Sequence, residues 1–275
     1  MKAIFLLSSC LLLISCSNIF RGLSKQDSDA ALYEDALKSM DALDWDTALS
    51  KFGSISSDFR AQTRVRENYA GALAGKCGLN FMSYLNRLST SSPGGSVTLL
   101  IWLMNAFTQT SINPSYCRLA ENEIRALGAT PALRTSGQNL FMIFLSFVKI
   151  GTTLRNRADI DSTGSLGDGS TDASFNACSS SPTSNPAVLS DAEIQEVITG
   201  IALAIENSAS LPSSAGIGPN LNSLAALCGA ACNKTSTSQI TAPEITAMRN
   251  LLATAVNTFG VGGQCPTANP LACCP

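Results

Sequence analysis

The chain has 275 residues, a net charge of −2 and no histidine, and charged side chains fill 14% of its positions, against about 25% in an ordinary soluble domain. Without a basic field it has nothing to hold a nucleic-acid backbone, and without imidazole it lacks the usual general base and triad partner. No P-loop, Gly-x-Ser-x-Gly or dinucleotide fingerprint stands in the right context, so neither catalysis nor a dissociable organic cofactor is expected.

Met1-Lys2 opens a short positive segment that runs into Ile4-Phe5-Leu6-Leu7 and Leu11-Leu12-Leu13-Ile14. This apolar stretch has the length of an export signal and is too short to span a membrane. It ends in Leu13-Ile14-Ser15-Cys16, which resembles the lipobox of bacterial lipoproteins. The resemblance implies a signal peptide over residues 1–15 and transfer of a diacylglyceryl group to the Cys16 thiolate. Ser17 follows where Asp would direct retention, which in lipoproteins favours the outer membrane. Acyl chains on one residue anchor stably, at about 0.8 kcal/mol per buried methylene. The alternative is an ordinary secretory signal with a chance cysteine. Residues 16–28 then form a polar, lipidated tether.

From Asp29 to Leu88 the apolar period is helical. One stripe holds Ala31, Leu32, Ala36, Leu37 and Met40, and the next Trp45, Ala48, Leu49 and Phe52. A third runs through Val65, Tyr69, Ala72, Leu73 and Ala74 and closes at Gly75 or Gly78; a fourth, shorter one holds Leu79, Phe81, Met82 and Leu85. The small alanines and the Trp45…Ala48-Leu49…Phe52 spacing resemble a tetratricopeptide unit. That implies helical hairpins, although one such unit does not make an array.

Ser91-Ser92-Pro93-Gly94-Gly95 breaks the pattern, and no charge occurs between Arg87 and Arg118. Within that interval Val97–Phe107 is apolar nearly all round. Leu119–Leu127 is an ordinary charged helix stopped by Gly128 and Pro131, and its acid pair Glu121/Glu123, like Asp44/Asp46, reads as a solvated face. A second apolar run, Leu140–Ile150, carries Lys149, whose ammonium would snorkel to an interface. Two readings stay open for these runs. They are core helices of a bundle, or they supply a lipid-facing surface in an oligomer through Leu99, Leu100, Trp102, Leu103, Phe107, Phe141, Phe144, Leu145 and Val148.

Asp159–Ala187 is rich in Ser, Gly, Asp, Asn and Pro and reads as loop, part of a 159–189 linker between a 29–158 helical region and a 190–275 helical region. Its start resembles an EF-hand-type calcium loop, which implies Asp159, Asp161 and Thr163 as oxygen ligands with the Ser165 carbonyl. Ser170 stands where that motif has its bidentate Glu, so Asp168 or Asp172 would have to substitute. A metal-free acidic loop is the alternative. Ser190-x-x-Glu193 and Thr241-x-x-Glu244 are capping boxes. They open helices through Ile194–Ile205 and Ile245–Val256, with another helix between them through Leu221–Cys232, and Gly260 stops the last.

The mature cysteines beside Cys16 are Cys77, Cys117, Cys178, Cys228, Cys232, Cys265, Cys273 and Cys274. An even set in an exported chain predicts up to four disulfides of unreadable connectivity. The Gly/Pro-rich tail with three of them is expected to be stapled down rather than packed as an element. No stretch shows sustained strand alternation, so the fold class is all-α.

Together the lipobox, the tetratricopeptide-like start, the apolar central runs, the cysteine-rich tail and the charge-poor end resemble outer-membrane lipoproteins of Bdellovibrio-type predatory bacteria. Some of these form α-helical rings that enclose membrane lipid. The resemblance implies a structural homo-oligomer in contact with lipid. The competing expectation is a lipid-anchored helical scaffold facing the periplasm and binding another protein.

Overall fold

The computed structural model describes residues 27–90, 98–107, 112–160, 171–180, 187–210, 218–254, 260–262, 273 and 274. Residues 1–15, which the signal-peptide expectation covers, and Cys16, Asp161, Thr163 and Cys265 lie outside them. The fold is all-α: eleven helices and a few 3-10 turns, with no β-strand among the described residues. The chain forms two compact units, residues 1–65 and 66–275. The boundary falls inside a helix rather than at the Ser/Gly/Asp-rich linker, because the two helices flanking that linker pack on one another.

In the first unit, α1 (Asp29–Asp41) and α2 (Trp45–Ser54) form the expected hairpin. Ser28 caps α1 by accepting from the Ala31 N–H at 3.3 Å, and Asp44 caps α2 by accepting from Thr47 at 3.1 Å, each meeting donors that a helix start leaves open. Leu43 turns the chain between them at φ 58. Ala36 and Ala48 are fully buried, so methyl-sized side chains let the backbones approach. Tyr33 stands edge-on to Phe52 at 6.2 Å and to Phe59 of α3 (Ser57–Arg60) at 6.1 Å, and the Arg64 guanidinium lies 5.2 Å from its ring centroid. Asp29 accepts from both the N–H and the hydroxyl of Ser56, tying the start of α1 to the corner before α3. The buried stripe differs in detail from the periodic reading. Tyr33 and Ala36 are buried, while Leu32, Leu37 and Met40 are half-buried.

α4 (Thr63–Cys77) crosses the boundary. The second unit continues through α5 (Phe81–Thr90), α6 (Leu99–Met104), α7 (Ser115–Arg125), α8 (Ser136–Ala158), α9 (Asp191–Glu206), α10 (Gly218–Cys228) and α11 (Ala242–Ala253). Among the described side chains of α5, Tyr84 is buried and Phe81 and Met82 are exposed. α8 is the axis. At 23 residues it is about 34 Å long, packs against α6, α7 and α9, and is buried without interruption from Met142 to Arg155. Its hydroxyls are accommodated by donating back one turn, Ser146 to the Met142 carbonyl at 2.6 Å and Thr152 to that of Val148 at 2.7 Å. Two glycines set its crossings. A Cβ on Gly151 would lie 2.4 Å from the Phe107 ring, and one on Gly200 of α9 would lie 2.7 Å from Ile150.

Capping at the helix starts follows the sequence closely. Ser190 and Glu193 exchange hydrogen bonds at the start of α9, Glu244 accepts from the Thr241 N–H at the start of α11, and α8 has a third box in Thr135 and Gln138. α10 ends at Cys228, where Gly229 adopts φ 58 and a 3-10 turn follows. An arginine organises the region before α9. Arg249 on α11, 5% exposed, donates to the carbonyls of Ala177, Ser179 and Leu189 and to Asp191.

Candidate functional site

The nine side chains expected to meet lipid do not form an outer face. Leu99, Leu100, Trp102, Leu103, Phe107, Phe144, Leu145 and Val148 are all buried, and Phe141 is half-buried. Every residue of α6 is buried. The aromatic members gather inside the second unit. Tyr84 stacks on Phe107 at 5.8 Å and meets Trp102 at 6.4 Å and Phe144 at 6.0 Å, and Phe144 also takes Phe81 edge-on at 5.5 Å. The lipid-facing assignment is therefore corrected. The missing charges around α6 mark a core segment, which excludes ionised groups for the same reason a bilayer does. No helix among the described residues is long and apolar enough to cross a membrane.

The cysteines pair as Cys77–Cys117, Cys178–Cys274 and Cys228–Cys232. Cys273 is also disulfide-bonded. Cys77–Cys117 joins the end of α4 to α7 and closes off the excursion that carries the aromatic cluster. Cys178–Cys274 fastens the tail to the loop that Arg249 holds, and Asn250 accepts from the Cys274 N–H at 2.6 Å.

The calcium assignment meets a different occupant. Asp159 caps α8, is 1% exposed, and pairs with the Arg155 guanidinium one turn back. Its carboxylate is already neutralised by a cation of the chain itself. Asp161 and Thr163 lie outside the described residues. Among the described residues no group of three or more potential metal ligands comes together.

What the chain does assemble is a polar cleft of about 220 Å³, lined by Arg118, Glu121, Asn122 and Arg125 of α7, Glu196 and Thr199 of α9, and Thr235, Ser236 and Thr237. The α7 residues sit at i, i+3, i+4 and i+7, one face of the helix. Behind this lining the Lys149 ammonium, 1% exposed, lies 2.8 Å from Glu121 Oε1 and 3.4 Å from Glu196 Oε2. It donates to Glu121 Oε2 at 2.9 Å and to the Thr199 hydroxyl at 3.0 Å. That hydroxyl can accept because its own proton goes to the Gln195 carbonyl at 2.9 Å. Arg118 donates to Glu196 Oε1 at 3.0 Å, and Arg125 to the Thr235 carbonyl at 3.1 Å. Burial pushes the Glu121 carboxyl above its ordinary range, with Lys149 pulling the other way.

Two expectations are corrected here. Lys149 does not snorkel, since its ammonium is enclosed by carboxylates and a hydroxyl. Glu121 is not on a solvated face, while Glu123 is half-buried and paired with Arg66 at 3.0 Å. The signal for Glu121 is in the sequence. It shares the buried face of α7 with Cys117, Ala120 and Ile124, the apolar phase of that helix. Glu196, Thr199 and the Thr235–Thr237 hydroxyls carry no such mark.

No protein-family model, curated protein or solved structure matches the chain closely enough to place it in a family.

Proposed function

We propose that the chain is a lipid-anchored helical binding module of the bacterial outer membrane, held there by acyl groups on Cys16 and presenting its helical units to a protein partner in the adjoining aqueous compartment. One observation favours this over a lipid-enclosing ring: eight of the nine side chains a ring would offer to acyl chains are buried in the core of their own unit. A lipid-contacting face needs those side chains outside. The disulfides agree with an exported, oxidising location.

The mature chain with Cys16→Ser, exported and recovered oxidised, tests the reading by size-exclusion chromatography with light scattering. A monomer mass in buffer without detergent is the expected outcome. A detergent-requiring oligomer would return the assignment to a membrane-embedded ring.

A further inference from the structure

The cleft between α7, α9 and residues 235–237 holds chemistry that a helical scaffold does not need. Its lining brings two guanidiniums on one face of α7 together with Asn122, Thr235, Ser236 and Thr237, side chains that can each donate a hydrogen bond. Arg118 is half-exposed, and each guanidinium makes one hydrogen bond to the chain, to Glu196 and to a backbone carbonyl respectively. The acceptors lie deeper. Glu121 is enclosed and compensated by Lys149, and Glu196 lies between Lys149 and Arg118. Counting Arg118, Arg125 and Lys149 against Glu121 and Glu196, the cleft carries an excess of positive charge, although the whole chain has a net charge of −2. No large apolar side chain lines the space.

We propose that this cleft is a binding site for a small tetrahedral oxyanion of the phosphate class. Guanidiniums form charge-assisted, often bidentate bonds to such groups. Donors here come from a helix face and from a separate hydroxyl-bearing segment, so they converge from several directions, as a tetrahedral ion needs and a planar carboxylate does not. The Glu196 carboxylate in the wall opposes an anion, but it is paired with both Arg118 and Lys149. The buried ammonium keeps the floor from repelling the guest. The assignment does not rest on membrane anchoring or on any protein partner.

Isothermal titration of the oxidised protein with inorganic phosphate tests it, with acetate as a second arm at the same ionic strength. Arg118→Met and Arg125→Met keep the alkyl stems and remove the guanidinium donors, at the cost of the Glu196 ion pair and the Thr235 carbonyl hydrogen bond respectively. Saturable phosphate binding, at least tenfold weaker in each variant and at least tenfold weaker for acetate, is the expected result. Three outcomes would overturn the proposal: no heat with phosphate up to 10 mM, an affinity in both variants equal to the parent's, or acetate binding as tightly as phosphate. Circular dichroism melts that match the parent protein show that weaker binding in a variant comes from lost donors and not from lost structure.

Discussion

Lys149 concentrates the energetics of the second unit at one atom. An ammonium removed from water is costly unless geometry and partners compensate, and removing one member of a buried pair costs about 3–5 kcal/mol because the other charge is stranded. Lys149→Met should therefore lower stability by about 3 kcal/mol in denaturant unfolding. Adding Glu121→Met should recover at least half of that, because Glu196 keeps Arg118 as its partner. The pH dependence has a definite sign. Loss of the ammonium raises the Glu121 pKa further above the unfolded value of 4.5. Protonated Glu121 is then the stable form in the fold, and its contribution is complete below the unfolded value and lost as pH rises through the folded one. The deficit of Lys149→Met should shrink as pH is lowered from 7 to 5, and a deficit constant with pH would contradict the stranded-carboxylate account. Sequence showed a lone cation in an apolar run but not its destination. Snorkelling and internal pairing give the same local pattern, and only the packing of α7 and α9 against α8 decides between them.

Among the elements, helix starts were legible and helix lengths were not. The Ser190 and Thr241 boxes are local chemistry and appear where their spacing puts them. Leu140–Ile150 marks only the middle of α8, whose ends are set by the Thr135–Gln138 box and by Asp159. In the other direction, the apolar run Val97–Phe107 contains a helix of only six residues. Hydrophobicity reports burial, whatever backbone achieves it. Gly151 carries no visible mark in the sequence, yet it sets the crossing of α6 and α8, because any side chain there meets the Phe107 ring and the Leu103 carbonyl. Gly151→Ala should destabilise by about 1–3 kcal/mol, as overpacking does, despite the gain in helix propensity. Gly137→Ala, where the nearest atom is 3.9 Å away, should be neutral or slightly stabilising. Thermal melts of the two variants compare them directly, and equal melting temperatures would mean that the α6–α8 crossing is looser than described.

For the molecule as a whole, the sequence carried the all-α class and the cysteine framework but neither the pairing nor the boundary between units. Pairing depends on which helices become neighbours, and the boundary lies inside the regular helical pattern of α4, where composition does not change. The bridges differ in what they constrain. Cys178–Cys274 spans 96 residues and Cys228–Cys232 spans 4. On a chain-entropy argument they are worth about 4–5 and about 2 kcal/mol. Cys274→Ala should thus lower the melting temperature by more than twice as much as the paired change Cys228→Ala with Cys232→Ala. The reverse order in calorimetry would show that the tail is held by its contacts and not by its covalent tie.

The uninterrupted burial of α8 has a kinetic consequence. A backbone amide in its middle exchanges with deuterated solvent only when the helix leaves its neighbours. Because α6, α7 and α9 all pack on it, that opening is close to loss of the whole second unit. The label-uptake rate of Met142–Arg155 therefore reads the global unfolding free energy of that unit, while α1, α2 and α3 keep a clock of their own.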